Sequence, residues 1–152
     1  MFYGLHRMSS DKQEVLELLK VLTDLAETCK EPLSSQAVGN MFYGLQCMSS
    51  DKQEVLELLK VLKDLAKTCK EPPSEQELGN MFYGLQCMSN DTQEVLELLE
   101  VLAKTCKEPP SAQAVGNMFY GLQCMSSDKQ EVLELLKVLT DLAKSCKEPV
   151  YH

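Results

Sequence analysis

The block Gly39-Asn40-Met41-Phe42-Tyr43-Gly44-Leu45 recurs almost unchanged down the chain, and this repetition limits the possible folds more than any other feature. Met1-Phe2-Tyr3-Gly4-Leu5 returns at Met41, Met81 and Met118, at spacings of 40, 40 and 37 residues. The segments Met41–Pro72 and Met118–Pro149 agree at 30 of 32 positions. A unit of this length cannot bury an apolar face alone, so the units must stack on one another.

Each full period holds two amphipathic helical patterns. The shorter begins after a turn, with Ser34 or Ser74 as N-cap, and Glu77 completes a capping box with Ser74. Val38, Met41, Phe42, Leu45 and Met48 then recur at helical spacing and predict one apolar face, ending around Cys47-Met48-Ser49. The longer helix follows at once, with Ser50-Asp51-Lys52-Gln53 as an S-x-x-Q cap. Val55, Leu58, Leu62, Leu65 and Cys69 form its stripe, widened by Leu56, Leu59, Val61 and Ala66, a breadth that implies neighbours in two layers. Gln53, Glu57, Lys60, Asp64 and Lys67 make an outward polar stripe of alternating charge. Lys70-Glu71-Pro72-Pro73 ends the helix.

Two irregularities stand out. The third unit reads Val101-Leu102-Ala103-Lys104-Thr105-Cys106, three residues shorter than Val61 to Cys69. That removes almost a turn, about 4.5 Å of helix, while Val95, Leu98, Leu102 and Cys106 keep the stripe. The first unit lacks the half-helix that precedes Met41, so Met1, Phe2 and Tyr3 form a candidate self-association end.

The fold expected is all-α: a short right-handed alpha-alpha solenoid of about four two-helix repeats of roughly 40 residues. One domain spans 1-152, with units 1-40, 41-80, 81-117 and 118-152. In period and amphipathic pattern the chain resembles the armadillo and HEAT class of helical-repeat proteins, a resemblance that implies a non-enzymatic scaffold. The block Ser34-x-Gln36-Ala37-Val38-Gly39-Asn40-Met41-Phe42-Tyr43-Gly44-Leu45 also resembles repeats of some organellar RNA-binding solenoids. The charge here departs from the basic groove those proteins need.

Asp and Glu number 23 against 15 Lys and Arg, a net charge of -8. This disfavours nucleic acid and anionic membrane as partners, since both need clustered cations. The apolar runs are interrupted by Glu and Lys, so no membrane span is expected. Seven cysteines, an odd number spread one or two per unit, read as free thiols in the cytoplasm or another reducing compartment. Near-identity of the units suits an engineered array, whereas the cysteines, eight methionines and shortened third unit suit inherited irregularity.

Catalytic and metal chemistry find little support. His6 and His152 are the two histidines, no C-x-x-C occurs, and later units replace His6 with Gln46, Gln86 and Gln123. The pairs Glu14-Glu17, Glu54-Glu57, Glu94-Glu97 and Glu131-Glu134 have no apolar pocket to separate their pKa values and read as solubilising surface. Asn90-Asp91-Thr92 matches a glycosylation sequon without a secretory context. Gly39-Gly44 and their echoes lie five apart within a helix and mark close helix approach. No cofactor, catalytic residue or metal ligand is expected, and the chain is read as not an enzyme.

The candidate binding feature is the polar side of the shorter helix. Gln36, Asn40 and Tyr43 share one face and return as Gln76, Asn80, Tyr83 and as Gln113, Asn117, Tyr120. Amides pair with peptide groups in both directions, and tyrosine adds rigid area with a hydroxyl. Such a ladder suits a protein or an extended peptide, although the same residues would also serve packing between units. The alternative function is a self-assembling structural repeat, a homodimer or end-to-end oligomer formed through uncapped terminal faces.

Overall fold

A computed structural model describes residues 2–29, 31–88, 93–106, 109–126 and 128–146. It contains a 3-10 helix at Phe2–Leu5 and seven α-helices: α1 (Gln13–Glu27), α2 (Ser35–Tyr43), α3 (Gln53–Lys67), α4 (Glu75–Gly84), α5 (Gln93–Lys104), α6 (Ala112–Tyr120) and α7 (Gln130–Lys144). No strand occurs among the described residues.

The helices form two layers. The 3-10 helix, α2, α4 and α6 stack in chain order, as do α1, α3, α5 and α7, and α2, α4 and α6 pair with α3, α5 and α7. This is a short alpha-solenoid of paired helices. Its core is a ribbon between the layers. Val55, Leu58, Leu62, Phe42, Leu45 and Met48 are fully buried in the second unit, and Val95, Leu98 and Leu102 in the third. Each such side chain contributes about 1.5–3 kcal/mol by leaving water. The broad stripe of α3 serves contacts with α1, α5 and α2 together. Helix α5 has 12 residues where α1, α3 and α7 have 15, so the shortening falls where the sequence places it and the stripe survives.

Three expectations change. The short helices stop earlier than Cys47-Met48-Ser49: α2 ends at Tyr43, with Gly44 as C-cap. Glycine is a poor helix former, and i to i+3 bonds from Leu45 N to the Phe42 carbonyl (3.0 Å) and from Met48 N to the Leu45 carbonyl (2.8 Å) tighten the chain there. Second, Ser50 does not cap the long helix, whose N-cap is Lys52 with no side-chain cap bond. The serine at this position in the first unit, Ser10, is buried and accepts a hydrogen bond from Ser49 N at 3.0 Å, tying one unit to the next. Third, the charged stripe pairs mainly between helices. Lys20–Glu54 (3.9 Å), Lys60–Glu94 (4.0 Å) and Lys63–Glu97 (3.8 Å) link successive long helices, and Lys104–Glu100 (2.7 Å) alone among the ion pairs of the described residues runs along one helix. Such exposed pairs contribute roughly 0–1 kcal/mol each.

Helix approach is close at Gly79, where a Cβ would lie 3.2 Å from the Ala114 α carbon, and closest at Gly84 and Gly121. A Cβ at Gly84 would overlap the Phe42 carbonyl oxygen, and one at Gly121 the Phe82 carbonyl oxygen. Gly116, within α6, has open space around it. Replacing Gly84 or Gly121 by Ala should therefore destabilise the protein by about 1–3 kcal/mol or more through overpacking. Gly116→Ala should stabilise it by about 0.5–1 kcal/mol through helix propensity. Urea unfolding of the three variants checks this, and a neutral Gly84→Ala would contradict the packing.

Candidate functional site

The face of α2, α4 and α6 that carries the Gln-Asn-Tyr rungs is set by how those helices begin. Ser34, Ser74 and Ser111 are extended and accept bonds from Ala37 N (3.2 Å), Glu77 N (3.1 Å) and Ala114 N (3.1 Å). At Ser74 the cap backbone N–H donates in turn to Glu77 Oε1 at 2.8 Å, completing the expected capping box. The three helices thus start in register, and equivalent side chains lie above one another.

Tyrosine makes this plainest. The Tyr43 and Tyr83 rings stack at 5.8 Å and 15°, and Tyr83 and Tyr120 at 5.0 Å and 13°. His6 extends the column, tilted by 39° at 6.2 Å from Tyr43. Tyr43 and Tyr83 are half-buried and Tyr120 is exposed. Much of each ring is therefore spent on contact between units. The amides are freer: Gln36, Asn40, Gln76 and Gln113 are exposed, while Asn80 and Asn117 are half-buried. Gln76 and Asn80 from α4, with Gln113 and Asn117 from α6, line a cleft of about 200 Å³ together with Glu75 and Ser111. Of the candidate self-association end, Phe2 and Tyr3 belong to the 3-10 helix, and Met1 lies outside the described residues. The sequon at 90–92 lies outside them too.

Sequence reading missed the acidic links between successive units, of which one, Glu75–Ser111, lies at this cleft. Glu75 Oε2 accepts from Ser111 N (3.0 Å) and Ser111 Oγ (2.9 Å). Glu77 Oε1 accepts from Ser35 Oγ at 2.7 Å, and Glu71 Oε1 from Ser35 N at 3.0 Å. Carboxylates here sit at helix N-termini, where the dipole favours negative charge. The available signal was variation: Glu75 and Glu77 stand where other units have Ser35 and Ala37, or Ala112 and Ala114. Gln123 Nε2 also donates to Gln86 Oε1 at 2.9 Å, so the glutamines that replace His6 form a link of their own.

Among the described residues no group of three or more His, Cys, Asp or Glu is placed to hold a metal ion. No described helix is long and apolar enough to cross a membrane. No family model matches the chain, and comparison with curated proteins and with solved structures finds no match.

All seven cysteines carry free thiols. Burial pushes the Cys69 thiol above the ordinary range, helped by the Glu71 and Glu77 carboxylates. Burial does the same to Cys87, whose neighbours Cys124 and Cys47 add to it. Thiolate is the reactive form. Alkylation of the native protein near neutral pH, followed by peptide mass spectrometry, should therefore modify Cys69 and Cys87 several-fold more slowly than exposed Cys29, Cys47 and Cys124. Equal rates would contradict these environments.

Proposed function

We infer that the protein is a non-enzymatic scaffold that binds an extended peptide, or an extended segment of a protein, across α2, α4 and α6. The observation that carries this reading is the cleft between α4 and α6, walled by Gln76 and Asn80 on one side and Gln113 and Asn117 on the other. These amides offer donors and acceptors to a peptide backbone, and the stacked tyrosines lie on the same helices.

The spacing suits an extended chain. Packed helices lie roughly 8–10 Å apart, less where glycine is at the contact. An extended peptide advances about 3.3 Å per residue, so it meets a new rung every two or three residues. Helices that touch through glycine approach more closely than helices separated by leucine and lysine. Glycine contacts in the short-helix layer thus favour this face as the concave one. Stacked helix pairs and an inner binding face are the arrangement of armadillo and HEAT scaffolds, and free thiols favour a reducing compartment. Neither nucleic acid nor membrane fits an acidic surface with a net charge of -8.

A display selection for peptide binders tests the proposal. Gln36, Gln76 and Gln113 are exposed, so the triple Gln→Ala variant should keep its helicity and melting temperature. It should bind the selected peptides at least tenfold more weakly. Undiminished binding to the variant, or a selection that yields no binder, would sink the assignment.

A further inference from the structure

The large apolar side chains exposed among the described residues are sorted by end. Met8, Leu18, Val21 and Leu25 belong to the first unit, and Phe119, Tyr120 and Leu133 to the last. Their counterparts in other units reveal which way each set points. Leu18 corresponds to the buried Leu58, Leu98 and Leu135, and Met8 to the buried Met48 and Met88. Val61 and Leu65, counterparts of Val21 and Leu25, line the cleft against α1. This set faces the preceding unit, and in the first unit Val21 and Leu25 are 55% and 52% exposed.

The second set has the opposite polarity. Phe119 is 40% exposed, whereas Phe42 and Phe82 are 0% exposed, with the following short helix packed on theirs. Leu133 is exposed where Leu16 and Leu96 are buried. Thr140 of α7 is exposed, while its counterpart Thr23 lies buried beside α3. A groove of about 450 Å³ on α7, lined by Leu133, Leu136, Lys137 and Thr140 among others, marks the place that α3 fills beside α1.

We propose that this groove receives α1 of a second copy of the chain, so that copies stack head to tail through the interface already made between successive long helices. A copy is the occupant because the two faces are the two sides of that interface. Helix α1 presents Leu18, Val21 and Leu25 as α3 presents Leu58, Val61 and Leu65, and α7 presents Leu133, Lys137 and Thr140 as α1 presents Leu16, Lys20 and Thr23. The short-helix layer agrees. Gly4, the counterpart of Gly84 and Gly121, has open space where those glycines meet a carbonyl. Charge keeps the same register, since Lys20–Glu54 and Lys60–Glu94 place Lys137 against Glu14 of the second copy. The contact is heterologous, so it grows a filament or closes a ring instead of stopping at a two-fold dimer.

Light scattering after size exclusion, in reductant and over a wide concentration range, tests this with two variants. Wild-type mass should rise with concentration above the 17.1 kDa of one chain. Val21→Glu breaks the first face and Leu133→Glu the last, and each variant alone should stay at the mass of one chain with unchanged helicity. Mixed, they should form a single species of twice that mass, because each keeps the face the other lacks. Should Val21→Glu lose helicity, Leu25→Gln takes its place with the same expectation. A wild type that remains monomeric, a single variant that dimerises with itself, or a mixture that stays monomeric would each overturn the proposal.

Discussion

Backbone contact between successive short helices, at a glycine set against a carbonyl, fixes the spacing on which the remaining packing depends. Gly84 lies against Phe42, and Gly121 lies against Phe82 in the same way. With no side chain between them, the helices come close enough for Tyr43, Tyr83 and Tyr120 to stack as one column. The same approach covers Phe42 and Phe82 completely. It also brings the helix N-termini within reach of one another, so that Glu75 and Glu77 of α4 bond to serines on both sides. Larger groups separate the long helices: leucine at the core and Lys-Glu pairs at the surface. The two layers therefore differ in the groups that fill their contacts as well as in length.

A stack built this way has no single centre. Each unit is stabilised by its neighbours, and the covered surfaces of the middle units become the uncovered surfaces of the outer ones. Lateral and axial surfaces then have different uses. The amide face runs along the side and is polar, which suits an extended chain lying across the helices. The end faces are apolar, and each has the shape of a contact that the chain already makes with itself. The amides of the side and the Val21, Leu25 and Leu133 side chains of the ends are different residues, while Tyr120 belongs both to the tyrosine column and to the last end face.

Much of this was legible in the sequence, for identifiable reasons. The period, the two helices per unit and the shortened α5 follow from spacing within one chain. The Ser74–Glu77 capping box is local, needing only residues three apart. The close approach at Gly84 and Gly121 followed from glycines that a helix would otherwise avoid. What was not legible concerns partners in the next unit. Ser10 and Lys20 bond across units to Ser49 and Glu54, and helical periodicity says only which face a residue is on, not which neighbour it meets. The early end of α2 was missed because an apolar pattern continues through Leu45 and Met48, although the backbone there has left the α-helix. For the candidate site, the sequence placed the amides and tyrosines on one face, but the division of labour between them needed three dimensions. Duplication preserves packing residues and binding residues alike.

The contact at Gly84 can be observed directly in a nuclear Overhauser spectrum of the assigned, isotope-labelled protein. A side chain at Gly84 would run into the Tyr43 α carbon as well as the Phe42 carbonyl, so the two backbones should lie close enough for a strong cross-peak between the Gly84 and Tyr43 α protons. That cross-peak is the predicted result. Its absence, with both residues assigned and helical structure intact, would mean that the short helices do not meet through glycine, and the account of how the units stack would fail.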